Sequence, residues 1–218
     1  MLEAIAADAA ATADYTGCRV LDAGVMATMA KVPRHEFVPA DEAGYSYVNE
    51  ALPIGYGQTI SQPFIVALMT DLLEPRSDHR ILEVGTGSGY QAAVLAELVD
   101  HVYSIEVIPE LAEEASARLA RLGYRNVTVR AGDGNDGWAE HAPFDGVIVT
   151  AAAAEIPGPL VQQLRPGGRL VIPIGPPRNQ ELTLVDKSTT GQISERVVLP
   201  VAFVPLVSVG EAARHRFG

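Results

Sequence analysis

Two carboxylates and three glycines give this chain its best means of holding a small charged molecule: Glu83, Gly85, Gly87, Gly89 and Glu106. Glycines at alternate positions let a backbone turn sharply and come close to a ligand. Tyr90-Gln91-Ala92-Ala93 behind them reads as the start of a helix, whose first N–H groups lack partners of their own. Ile81-Leu82-Glu83-Val84 in front reads as a buried strand. Val102-Tyr103-Ser104-Ile105 reads as the next strand, and Glu106 at its end lies about 20 residues beyond the glycine turn, the offset at which an acid hydrogen-bonds ribose hydroxyls. Both acids are therefore expected to face one crevice. A tight turn with no ligand, or a solvated strand end, explains either feature alone but not the two together.

The spacing narrows the ligand. A dinucleotide fingerprint, G-x-G-x-x-G, needs a glycine at position 90, where Tyr stands. The pattern acidic-x-G-x-G-x-G, with Glu83 as its acid, is associated instead with S-adenosylmethionine sites, where a carboxylate and backbone groups hold the amino-acid end of the cofactor. Asp133, in the Gly132-Asp133-Gly134 turn after the strand at 127–129, either serves that turn or contacts the adenine amino group.

The elements that must position these residues follow in order. Residues 1–32 are alanine-rich, with Leu21, Val25, Met29 and Val32 at helical spacing, and read as a cap of one or two helices ended by Pro33. Residues 44–61 hold aromatics, glycines and amides without long periodicity, as a functional loop does. Residues 62–73 read as a helix with Ser61 placed as its N-cap, Gln58 and Thr59 being turn residues. A helix at 111–122 stops at Gly123. Strands follow at 144–149 and 170–174 around a short helix at 159–164, and further strands at 181–185 and 197–204 form the sheet edge. This alternation indicates an α/β chain with a mostly parallel sheet.

The formal net charge of −11 opposes binding to nucleic acid or anionic membranes. Cys18 is the only cysteine, which suits a reducing compartment, and no apolar run approaches the ~20 residues that span a bilayer. A cytoplasmic protein is expected, with a small molecule or an exposed polypeptide as its partner, and a monomer because no exposed apolar helix stands out. The five histidines are scattered, so no metal is expected. Phosphate-loop and hydrolase-elbow motifs are missing, as is the Asn/Asp-Pro-Pro-aromatic tetrapeptide carried by many enzymes that methylate exocyclic nitrogens of bases.

Taken together, these segments closely resemble the protein-L-isoaspartate O-methyltransferase family. The resemblance is carried by Val32-Pro33-Arg34 with Phe37-Val38-Pro39, by Ala51-Leu52-Pro53-Ile54-Gly55, and by Gly57-Gln58-Thr59-Ile60-Ser61-Gln62-Pro63. It continues through Leu82 to Gln91, Gly132-Asp133-Gly134, Thr150-Ala151-Ala152 with Ile156-Pro157, and Phe203-Val204-Pro205-Leu206-Val207. It implies a Rossmann-like S-adenosylmethionine-dependent methyltransferase fold, doubly wound and mostly parallel, with an N-terminal helical extension. One domain would span 1–218, with a cap and substrate loop at 1–61, a cofactor core at 62–175 and strands and tail at 176–218. Ser61 and Thr59 become the catalytic candidates. Ile60, Glu83, Gly85, Thr86, Gly87, Ser88, Glu106, Asp133 and Gly134 become the cofactor-binding ones.

The implied reaction moves a methyl group from S-adenosyl-L-methionine to the free carboxylate of an L-isoaspartyl (or D-aspartyl) residue in a damaged protein or peptide, releasing S-adenosyl-L-homocysteine. The ester then collapses to a succinimide, which begins repair. A small-acid or RNA methyltransferase, a cofactor-binding regulator without turnover, and an oxidoreductase are the competing readings.

Overall fold

The computed structural model describes residues 1–211. The cap contains three helices rather than one or two: α1 (Leu2–Ala11), α2 (Ala13–Thr16) and α3 (Ala23–Lys31). Leu21 and Val32 flank α3 instead of lying in it, because the Asp22 carboxylate accepts from the Gly24 and Val25 amides and so fixes where the helix begins. Ile5, Ala9, Val25 and Met29 bury the inner side of the cap.

The segment read as irregular contains a hairpin, β1 (Leu52–Gly55) and β2 (Gln58–Ile60). Tyr56 and Gly57 form its two-residue turn, both at positive φ (53° and 70°), as a type I′ turn requires. Leu52, Ile54 and Ile60 point inward, but strands of four and three residues are too short to display a period.

The core then runs α4 (Pro63–Leu72), β3 (Arg80–Val84), α5 (Tyr90–Ala96), β4 (His101–Glu106), α6 (Pro109–Arg121), β5 (Val127–Ala131), β6 (Phe144–Val149), α7 (Gly158–Gln163), β7 (Leu164–Ile174), β8 (Gln180–Lys187) and β9 (Ile193–Val201). β7 begins six residues earlier than the strand expected from Leu170, because Pro166-Gly167-Gly168 is absorbed into it where its register against β6 shifts. The last strand also begins and ends earlier than expected, leaving Val204 outside it.

Seven strands form one sheet in the order β5-β4-β3-β6-β7-β8-β9, parallel from β5 to β7 and antiparallel beyond. Alternating side chains feed two cores. Ile81, Ile148 and Val171 join the helices α1, α3, α4 and α5 in one. Leu82, Val84, Val147, Val149 and Leu170 join Trp138 and Leu160 in the other. The sheet is thus covered on both faces, which is why Ile81, Leu82 and Val84 of β3 and Phe144, Val147, Ile148 and Val149 of β6 are all buried. From β3 the chain steps outward to β4 and β5, then returns to place β6 on the other side of β3. In such sheets, ligands bind beyond the strands' carboxyl ends at this reversal.

Candidate active site

At that reversal the chain encloses a cavity of about 560 Å³. Its walls come from residues 56–61, the turn after β3, residues 105–108 at the end of β4, Gly134, Thr150-Ala151 after β6, and residues 204–207. Of the residues expected at a site, Thr59, Ile60, Ser61, Gly85, Thr86, Gly87, Ser88, Glu106 and Gly134 meet here; Glu83 and Asp133 do not.

The glycine turn is held from both neighbouring strands. The Ile105 carbonyl accepts from the Gly85 amide at 2.8 Å. From the β6 side, the Thr150 hydroxyl lies 2.5 Å from the Gly85 carbonyl and 3.1 Å from that of Val84. Gly85 has φ +94°, and a Cβ there would run into Thr150 Oγ1, so both its conformation and its close contact demand glycine. Glu106 joins the turn to β4: its carboxylate accepts from the Gly87 amide at 2.8 Å and the Ile108 amide at 3.1 Å. Burial raises its pKa, and the amides of Gly87, Ile108 and Val107 restrain that rise by stabilising the charge. Each carboxylate oxygen keeps a lone pair for a further donor.

Glu83, expected at the cofactor, does not line the cavity. It is 0% exposed. The alternation that sends Leu82 and Val84 to one core turns Glu83 to the other face. There Ser104 Oγ lies 2.5 Å from its Oε2 and 2.5 Å from Thr86 Oγ1, while Oε1 has no partner. Burial pushes its pKa up to about 8; the Ser104 hydroxyl opposes this, the Glu106 charge adds to it and the Ala92 amide opposes it. Glu83 therefore braces the glycine turn from beneath, through Ser104 and Thr86. Asp133 serves its turn, the first of its two readings. Its carboxylate accepts from the Asn135 amide, the Asn135 side chain and the Val209 amide, and only its neighbour Gly134 reaches the cavity wall.

Ser61 is not the cap of α4. Gln62 occupies that position without a side-chain cap bond, and the Phe64 amide donates to Asn49 Oδ1 at 2.9 Å. A remote side chain thus does the capping, and the Ser61 and Thr59 hydroxyls line the cavity without a hydrogen bond among the described residues. Arg34 fixes Ser61 through its backbone instead: Nη2 donates to the Ser61 carbonyl at 2.7 Å and, at 3.4 Å, to that of Glu50. The Arg34 guanidinium is 0% exposed and sits 4.8 Å from the Tyr90 ring centroid, with Nε and Nη1 unpartnered. Burial lowers its pKa to about 10, so it stays protonated at neutral pH.

Arg34, Asn49, Thr150 and residues 204–207 were assigned no role from the sequence. Arg34, Thr150 and 204–207 lie in the family-like segments, but their contacts depend on distant pairings. Ala152, for example, donates to the Val204 carbonyl at 2.8 Å and accepts from the Leu206 amide at 2.7 Å.

The model of the protein-L-isoaspartate(D-aspartate) O-methyltransferase family matches residues 15–211. A protein-L-isoaspartate O-methyltransferase 2 of Syntrophobacter fumaroxidans is 62% identical over 207 residues, covering 94% of this chain and 84% of its own length. One from a Polaromonas species is 58% identical, covering 94% and 98%. Among solved structures, a protein-L-isoaspartate O-methyltransferase superposes with a TM-score of 0.82 at 27% identity, covering 96% of this chain and 67% of the other. A putative Plasmodium falciparum enzyme of the same name, in complex with S-adenosyl-L-homocysteine, gives 0.74 at 26% identity, covering 85% and 91%.

Proposed function

Because the chain belongs to the protein-L-isoaspartate(D-aspartate) O-methyltransferase family, we propose that its cavity is the site of methyl transfer, with the Ser61 and Thr59 hydroxyls orienting the acceptor carboxylate and Glu106 with the glycine turn holding the cofactor. The protein is an S-adenosylmethionine-dependent carboxyl methyltransferase that acts on L-isoaspartyl residues of damaged proteins. The observation that carries the site assignment is the convergence on one cavity of two unbonded hydroxyls, an amide-bound carboxylate and a glycine turn.

The residues present suit the cofactor. Glu106 retains acceptor capacity for two ribose hydroxyls, its negative charge favours a nearby cation, and Val84, Ile108, Leu206 and Val207 provide apolar wall for a base. When bound, S-adenosylmethionine supplies a methyl group activated by a sulfonium sulfur. The acceptor carboxylate, with a reference pKa near ~4, is already ionised at neutral pH and needs no general base. What remains for this chain is orientation, a term that contributes on the order of 7–11 kcal/mol when reacting atoms are held in line. Ser61 and Thr59 are suited to it, since hydroxyls hold a carboxylate without neutralising it. The Arg34 charge stays one layer back, on the Ser61 carbonyl, where it does not pair with the nucleophile.

Two peptides that differ only in L-isoaspartate or L-aspartate at one position test this reading. Label from S-adenosylmethionine is expected on the isoaspartyl peptide alone; labelling of both, or of neither with the cofactor bound, would overturn it. Glu106→Ala is expected to weaken S-adenosylhomocysteine binding by about 1–3 kcal/mol, the cost of removing one partner of a buried hydrogen bond. Unchanged affinity by calorimetry would put the ribose elsewhere.

The net charge of −11 and the single cysteine support a cytoplasmic enzyme that works on polypeptide and not on nucleic acid, and we take it to act as a monomer. Among the described residues, no helix is long and apolar enough to cross a membrane.

A further inference from the structure

The helix α1 precedes the residues that the family model matches, yet it reaches the active-site loop. Asp8 Oδ2 accepts from Asn49 Nδ2 at 2.8 Å and from Gln62 Nε2 at 3.3 Å. These two partners bracket the β1–β2 hairpin and Ser61, so both ends of the segment 49–62 converge on one carboxylate. Asn49 is engaged on its other side as well, where Oδ1 accepts the Phe64 amide that would otherwise want a cap. The helix carrying Asp8 is itself anchored, with Ile5 0% and Ala9 2% exposed.

We propose that Asp8 is a positioning residue for methyl transfer: its carboxylate ties together residues 49 and 62 and so fixes the Ser61 hydroxyl in the cavity. This rests on the role given to Ser61 above. The tie is geometric, since Gln62 is the residue next to Ser61 and α4 begins immediately after it. A free loop would let the hydroxyl wander, and a misplacement of about 1 Å at a reacting centre can cost on the order of 100-fold.

The chemistry of the tie separates a lost bond from a conservative change. Asp8→Ala removes the single acceptor of both bonds, from Asn49 Nδ2 and from Gln62 Nε2. In Asn49→Asp, two carboxylates meet, acceptor against acceptor. Asp8→Asn is the conservative variant: its amide oxygen takes the place of Oδ2 and accepts from both Asn49 and Gln62.

The test measures kcat and KM with an isoaspartyl peptide, S-adenosylhomocysteine affinity, and hydrogen-exchange protection of residues 58–62, in Asp8→Ala, Asn49→Asp and Asp8→Asn. Asp8→Ala and Asn49→Asp are each expected to lose about tenfold in kcat/KM and to lose protection in the segment, with cofactor affinity unchanged, and Asp8→Asn should keep both. Unaltered protection in Asp8→Ala and Asn49→Asp, or a loss in Asp8→Asn as large as in Asp8→Ala, overturns the clamp. If protection falls while turnover holds, the positioning role is overturned, and Ser61→Ala made alongside shows where the fault lies. An active Ser61→Ala places it in the serine's role; an inactive one places it in the clamp.

Discussion

Ser61→Ala is expected to cut methyl transfer to an isoaspartyl peptide by about 10- to 100-fold, the effect of losing a hydrogen bond worth ~1.5–3 kcal/mol to a charged group. S-adenosylhomocysteine affinity should stay within about twofold, because no cofactor contact is assigned to this hydroxyl. The structure makes this substitution unusually clean. Had the serine capped α4, its loss would have cost about 1 kcal/mol of stability and blurred the reading. Asn49 does that work instead. The anchoring bond from Arg34 goes to the Ser61 carbonyl, which alanine retains. Steady-state kinetics paired with calorimetry would check the result, and normal turnover in Ser61→Ala would remove the residue from the mechanism.

The second large effect concerns stability. Glu83, fully buried with a pKa near 8, holds in the native state a proton that the unfolded chain releases near the ordinary carboxylate value of about 4.3. The folded pKa is the higher one, so the native state binds more protons throughout that window and stability must fall as pH rises through it. A shift of that size corresponds to several kcal/mol at the upper end. Glu83→Gln removes the titration while keeping the shape and the capacity to bond Ser104. Urea unfolding at pH 5, 6.5 and 8.5 should therefore show the wild type losing ground to the variant as pH increases. Taking the difference between the two profiles cancels the titration of Glu106 and the histidines. Parallel profiles would show that Glu83 is ionised in the native protein.

What the sequence revealed divides by the range of the interaction responsible. The glycine turn, Glu106 and the strand–helix alternation were legible because each is encoded within a few residues, or at the fixed offset that one strand–helix–strand unit imposes. The place of Glu83 beneath the turn was not legible, because its face is set by which neighbours of β3 are buried and by Ser104 on β4. Asp133 was ambiguous for a similar reason: the Val209 amide it accepts comes from a distant part of the chain. The hairpin at 52–60 was missed because its turn carries Tyr56 where Asn or Asp is the usual signal. Ser61 shows the subtlest case. Its position one residue before Gln62 looked like a cap, and only the arrival of Asn49 from 15 residues before Phe64 frees it.

The wall at residues 204–207 carries a consequence for how this enzyme comes into being. Ribosomes deliver the glycine turn early and this wall late, and at ~5–20 residues per second the interval between them is on the order of ten seconds. Without Val204, Pro205 and Leu206 the crevice has no wall on that side. The docking of residues 204–206 against Ala152 therefore closes the cavity only after every strand of the sheet has been made, and a chain truncated before residue 204 is expected to lack a closed place to work.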